Sequence, residues 1–61
     1  MDIYSIQLTN SIVTSFDIEV IKRKAKRYAQ QKKDAIIKQN GKKIGWVGRD
    51  LTKRKGWGWC I

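Results

Sequence analysis

The alternation of apolar and polar residues changes period along the chain. Residues 2 to 9, Asp-Ile-Tyr-Ser-Ile-Gln-Leu-Thr, repeat every second position, so Tyr4, Ile6 and Leu8 point one way and Ile3, Ser5, Gln7 and Thr9 the other. This predicts a half-buried strand. Asn10-Ser11 reads as a turn, after which Ile12 and Val13 either extend the strand or anchor a loop. From about Ser15 to Lys33 the period becomes helical. At about 100° per residue, Ile18, Ile21, Ala25, Tyr28 and Ala29 fall within one stripe. Thr14 or Ser15 is the expected N-cap, Thr14-x-x-Asp17 a short capping box, and Asp17 and Glu19 suit the positive end of the helix. Lys22, Arg23, Lys26, Arg27 and Lys33 occupy much of the remaining surface.

The next stretch, Ala35 to Val47, carries Asn40-Gly41 between two apolar segments, which predicts a two-residue type I′ hairpin because both loop positions need positive φ. Counting back from that turn sets Lys38 opposite Lys43, Ile37 opposite Ile44 and Ala35 opposite Trp46. Ala35, Ile37, Ile44 and Trp46 would then face the helix, and Ile36, Lys38, Lys43 and Val47 the other side. Gly48 to Lys55 reads as a polar connection anchored by Leu51, and Gly56-Trp-Gly-Trp-Cys-Ile61 as a last strand with Trp57, Trp59 and Ile61 on one face. The expected fold is α+β, a single domain over residues 1–61 with one amphipathic helix packed on a small antiparallel sheet in the order β-α-β-β-β.

Charge changes this picture more than size does. Fourteen Lys and Arg against five Asp and Glu give a net charge of +9 on 61 residues, and a surface this small then carries a strongly positive potential. Polyanions are the expected partners: nucleic acid first, then a host ribonucleoprotein or protein complex with an acidic face, with no membrane partner adopted. A domain of this length buries only about 60% of its unfolded surface, which leaves little room for a catalytic cleft. One cysteine, Cys60, and no histidine exclude an internal disulfide and a Cys/His zinc site. The start lacks the basic segment of a signal peptide and no apolar run reaches spanning length, so a cytoplasmic location in a bacterial host is expected.

The absence of histidine and the scatter of the carboxylates leave no triad or acid/base pair to assemble, so no catalytic residue, metal site or cofactor is assigned. Cys60 has the chemistry of a nucleophile but the position of a packing residue in a tryptophan strand. The candidate contact residues are two cationic groups. One is the helix row Lys22, Arg23, Lys26, Arg27 and Lys33. The other is Lys38, Lys42, Lys43, Arg49, Lys53, Arg54 and Lys55, around the hairpin tip and the last loop. No carboxylate lies between Val20 and Lys33, so the helix has few internal ion pairs to offset its repulsion. Trp57 and Trp59 fill the core, stack on a base or partner, or do both, since ring stacking beside phosphate-binding cations is how single-strand binders work. Glycines 45, 48, 56 and 58 strip bulk from the opposite face or mark bulges.

The layout of a first strand, an Ala-Lys-Arg-x-Ala helix segment from Ala25 to Ala29, an Asn-Gly hairpin and a short last strand with tryptophan and a near-terminal cysteine resembles small accessory proteins of bacteriophages. Among these it is similar to type I anti-CRISPR proteins. The resemblance implies a non-catalytic inhibitor that occupies a surface of a host defence complex, contacting DNA or guide-RNA backbone where it is basic. It transfers no motif residue by residue, and the positive charge argues against mimicry of DNA. A free-standing, largely nonspecific DNA- or RNA-binding protein is the alternative. An antitoxin-like interaction module, using Ile12, Val13, Val20 or the glycine-rich face, is the third. Monomer and homodimer both stay open.

Overall fold

The turn at Asn10-Ser11 folds the first strand back on itself. In the computed structural model, which describes residues 1–61, β1 (Tyr4–Gln7) pairs antiparallel with β2 (Ile12–Ser15), setting Ile6 beside Val13, and the Leu8 N–H closes the turn on the Ser11 carbonyl at 2.8 Å. Residues 12–15 thus form a strand of their own at the sheet edge. That pairing holds Thr14 and Ser15 extended, so neither caps the helix. The cap is Asp17, whose carboxylate accepts from the Glu19 N–H at 2.9 Å, and α1 runs from Ile18 to Gln30. Ser15 keeps a lesser role, its hydroxyl accepting from the Asp17 N–H at 3.0 Å.

The helix ends at Gln30, three residues before the expected end at Lys33. The Lys32 N–H returns to the Ala29 carbonyl and the Lys33 N–H to the Tyr28 carbonyl, which is the Schellman arrangement. Lys32 occupies the left-handed position of that motif at φ 57°, where glycine is the usual residue. The chain then enters β3 (Ala35–Gln39), turns at Asn40 (φ 52°) and Gly41 (φ 84°), and returns as β4 (Lys42–Arg49). This is the expected positive-φ turn. Asn40 also ties the start of the chain to it: its carbonyl oxygen accepts from the Ile3 N–H and its amide donates to Asp2, both at 2.9 Å. The bond from Asn40 holds the Asp2 carboxyl below its ordinary pKa.

After a loop, β5 (Trp57–Cys60) closes a five-stranded antiparallel sheet in the order β2-β1-β3-β4-β5. One helix covers one face of it, which is the expected α+β class, with β2 added ahead of the helix. Near the turn the expected hairpin register holds, with Lys38 opposite Lys43 and Gln39 opposite Lys42. Beyond it a bulge intervenes between Ile37 and Lys38, and Ile37 pairs with Gly45, Ile36 with Trp46 and Ala35 with Val47. Ile44 is the inserted residue. Because side chains alternate with a period of two, one extra residue exchanges the faces of everything that follows. Val47 therefore enters the core and Trp46 lies on the uncovered face beside Ile36 and Cys60, the reverse of the expected assignment.

The core is small: Ile6, Ile21, Ala25, Tyr28, Ala35, Ile37 and Val47, with Ile6, Ile21 and Ile37 fully enclosed. Tyr4, Leu8, Val13, Ala29, Ile44 and Trp59 pack around it. The helix stripe Ile21, Ala25 and Tyr28 is the face read from the periodicity. Leu51, in contrast, is 88% exposed and anchors nothing. Its loop is held instead by Asp50, whose carboxylate accepts from the Thr52 N–H at 3.0 Å and the Thr52 hydroxyl at 2.6 Å.

Candidate nucleic-acid interface

The C-terminal end of α1 and the strand β5 lie side by side, and a groove of about 450 Å³ opens between them. Trp57 and Trp59 form its apolar part, as half-buried rings on the helix side of the sheet. Lys26, Ala29, Gln30 and Lys32 come from the helix and its cap, Lys53 and Lys55 from the last loop, and Gly58 completes the lining. Four lysines thus surround two tryptophans.

Each contribution follows from a local cause. Trp59 sits opposite Val47 and Trp57 opposite Arg49, so both rings share the face read from the Trp-Gly-Trp alternation. Trp59 packs against the core and Trp57, one step further out, reaches the open end of the groove. Gly58 alternates with the two tryptophans and turns its bare side to the uncovered face, where the stem of Lys53 lies across it: a β-carbon there would meet Lys53 Cγ at 3.2 Å, so Lys53 borders the groove from the other side of the edge strand β5. Lys53 in turn is set by its backbone N–H on the Asp50 carbonyl at 3.1 Å. The helix carbonyls at this end are taken up by the N–H groups of Gln31, Lys32 and Lys33, so the helix presents ammonium groups rather than bare carbonyls to the groove. Asp50, the loop's own carboxylate, is occupied by Thr52, which depresses its pKa.

The structure divides the sequence-predicted cations differently from the chain order. Lys26, Lys53 and Lys55 meet at the groove together with Trp57 and Trp59. Arg49 joins them at the end of β4, across from Trp57. Lys33 and Arg54 are exposed in the adjoining segments. Lys38, Lys42 and Lys43 do not belong to this group. Lys42 and Lys43 lie at the far end of the eight-residue strand β4, with Lys38 beside Lys43 on β3, and at about 3.3 Å per residue this removes them by roughly 20 Å. On the helix, Arg23 and Arg27 line a separate shallow hollow with Val20 and Lys24, and Lys22 is engaged by Glu19 at 3.6 Å. That contact is the chain's single ion pair, so of fourteen Lys and Arg thirteen have no carboxylate partner.

Sequence reasoning missed Lys32, Gln30 and Ala29 as groove residues. A lysine inside Gln-Gln-Lys-Lys-Asp gives no sign that the helix has already turned, because the residue at the left-handed position is not glycine. The end of the apolar stripe at Ala29 was the one available signal. No helix of the protein is long and apolar enough to cross a membrane. No family model matches the chain, and neither does a curated protein or a solved structure.

Proposed function

We propose that the protein is a non-catalytic basic module that binds the backbone of a nucleic acid and acts by occupying it. The observation that carries this reading is the gathering of Lys26, Lys32, Lys53 and Lys55 around one groove, none within ion-pair distance of a carboxylate, although the Lys53 charge is felt by Asp50. Unpaired cations held together repel one another, and phosphate neutralises them with release of condensed counterions. A groove that also offers aromatic surface suits a single strand better than a smooth duplex. The inhibitor of a host nucleic-acid machine that the phage-protein resemblance implies is a special case of this activity, in which the occupied backbone belongs to a ribonucleoprotein.

The test is the affinity of the purified, nuclease-treated protein for a labelled ten-nucleotide single strand, followed by anisotropy between 50 and 300 mM salt. With the four groove lysines on phosphates, the log–log slope is expected near −3, at about −0.7 per phosphate of a single strand. Charge reversal at Lys26, Lys53 and Lys55 together reduces binding, most steeply at low salt, and more than reversal at Lys22, Arg23 and Arg27 outside the groove. No binding at low salt, or affinity independent of salt, refutes the reading.

A further inference from the structure

The groove has more to it than charge. Another hollow on the surface matches its volume of about 450 Å³, but this one is lined by tryptophans together with lysines, which neither that hollow nor the one at Arg23 and Arg27 is. A surface that only tracked a phosphate backbone would need no concavity and no tryptophan. Trp57 lines the groove half-buried and, unlike Trp59, does not pack on the core. Indole rings with Lys26 and Lys32 on the helix side and Lys53 and Lys55 in the last loop suit a flat ring that carries phosphates. One nucleotide within a strand has that form. Gln30 adds an amide that both donates and accepts, the bonding a base edge requires.

Lys32 supplies an independent observation. The position it fills, at φ 57° after the helix, favours glycine, yet a lysine stands there and lines the groove. Strain of this kind persists where the side chain has a task. Its task here is to bring a cation to the helix side of the groove, facing Lys53 and Lys55 on the loop side.

We infer that the groove takes one unpaired nucleotide of a strand, its base against Trp57 and Trp59 and its two flanking phosphates on the Lys26–Lys32 and Lys53–Lys55 sides. This rests on the nucleic-acid reading above and narrows it. A base held in a duplex cannot present its face to a ring, so the groove distinguishes unpaired from paired nucleic acid.

The experiment follows tryptophan fluorescence and anisotropy together in the full chain carrying Trp46→Phe, which removes the indole emission of the uncovered face. The probes are a labelled oligothymidylate, a blunt duplex with the same number of phosphates, and adenosine monophosphate. Quenching that saturates with the single strand in step with anisotropy, and is small with the duplex, is expected. Trp57→Leu should weaken single-strand binding roughly tenfold or more, the worth of a stacked base, and leave the duplex unaffected. Lys53→Ala with Lys55→Ala, two exposed loop positions whose loss leaves the core intact, should abolish the quench even if Trp57→Leu fails to fold. Equal anisotropy with both nucleic acids and no quench would overturn the base pocket and leave the backbone reading standing. Saturating quench by adenosine monophosphate at micromolar concentration would replace the strand with a free nucleotide as the occupant. No anisotropy change with either nucleic acid at low salt would remove both readings.

Discussion

Replacing Gly45 by alanine is the most severe single-methyl change the fold offers. Gly45 is buried in β4 immediately after the bulge. A β-carbon built there lies 3.0 Å from the Cys60 carbonyl carbon and 3.0 Å from Ile61 Cα, and overlaps the Cys60 carbonyl oxygen outright. All three are backbone atoms, so no side chain can swing aside. The end of β5 must move away, and with it the rung that pairs Trp46 with Cys60. Losing one or two ladder bonds costs about 1 kcal/mol each, and the overpacking adds about 1–3 kcal/mol, for a sum of about 2–5 kcal/mol. A 61-residue domain has only about 3–9 kcal/mol in total. At about 4–8 °C per kcal/mol the midpoint of thermal unfolding falls by roughly 8–40 °C. Gly41→Ala is the control: nothing lies within 4 Å of its β-carbon, and only its φ of 84° opposes the change, at about 1 kcal/mol. Thermal unfolding followed by circular dichroism compares the two. If Gly45→Ala melts no lower than Gly41→Ala, the bulged geometry of β4 against β5 is wrong.

Val47→Ala should lose about 2 kcal/mol in chemical denaturation, because Val47 is buried, whereas an unbulged hairpin would place it on the uncovered face and make the change nearly neutral. Lys32→Gly should raise the unfolding midpoint by about 4–8 °C through relief of its left-handed backbone, and weaken single-strand binding in the same preparation. A gain in stability without loss of binding would take Lys32 out of the groove's function. Asp2 and Asp50 both have carboxyl pKa values below the ordinary 3.8, through bonds from Asn40 and Thr52 respectively. The folded state therefore binds their protons less readily than the unfolded one. Their contribution to stability is complete above pH about 4 and is lost as the pH falls through the depressed values. Melting curves between pH 6 and pH 2 should show a shallower acid decline in Asp2→Asn and Asp50→Asn than in the parent.

Local pattern carried the sequence reading wherever one physical signal dominated. The helix face, the Asn40-Gly41 turn, the alternation in β1 and the shared face of Trp57 and Trp59 all follow from periodicity or from positive φ. The bulge at Ile44 does not announce itself, since Gly45 reads as a space in a strand as easily as a neighbour to an inserted residue. That one residue decided the fates of Trp46 and Val47. The candidate site was half legible. Its tryptophans and Lys53 and Lys55 stand together in the sequence, but their meeting with Lys26 and Lys32 depends on where the helix stops and how long β4 runs. Grouping the hairpin-tip lysines with the last loop failed for the same reason, because adjacency in sequence was taken for adjacency across an eight-residue strand.

The strand order has a bearing on how quickly the chain finds its fold. β1–β2, β3–β4 and β4–β5 each join strands that follow one another, so each can zip from its own turn. Only β1 against β3 spans the helix, and its rung Ile6–Ile37 joins positions 31 residues apart. Closing that interval is the one large entropic step in the topology. Both residues on the rung are wholly enclosed by the finished core. The barrier to folding should therefore sit at the seam between β1 and β3, where the N-terminal hairpin and helix dock on the C-terminal three-stranded meander through a four-rung ladder with the Ile6–Ile37 pair at its buried centre.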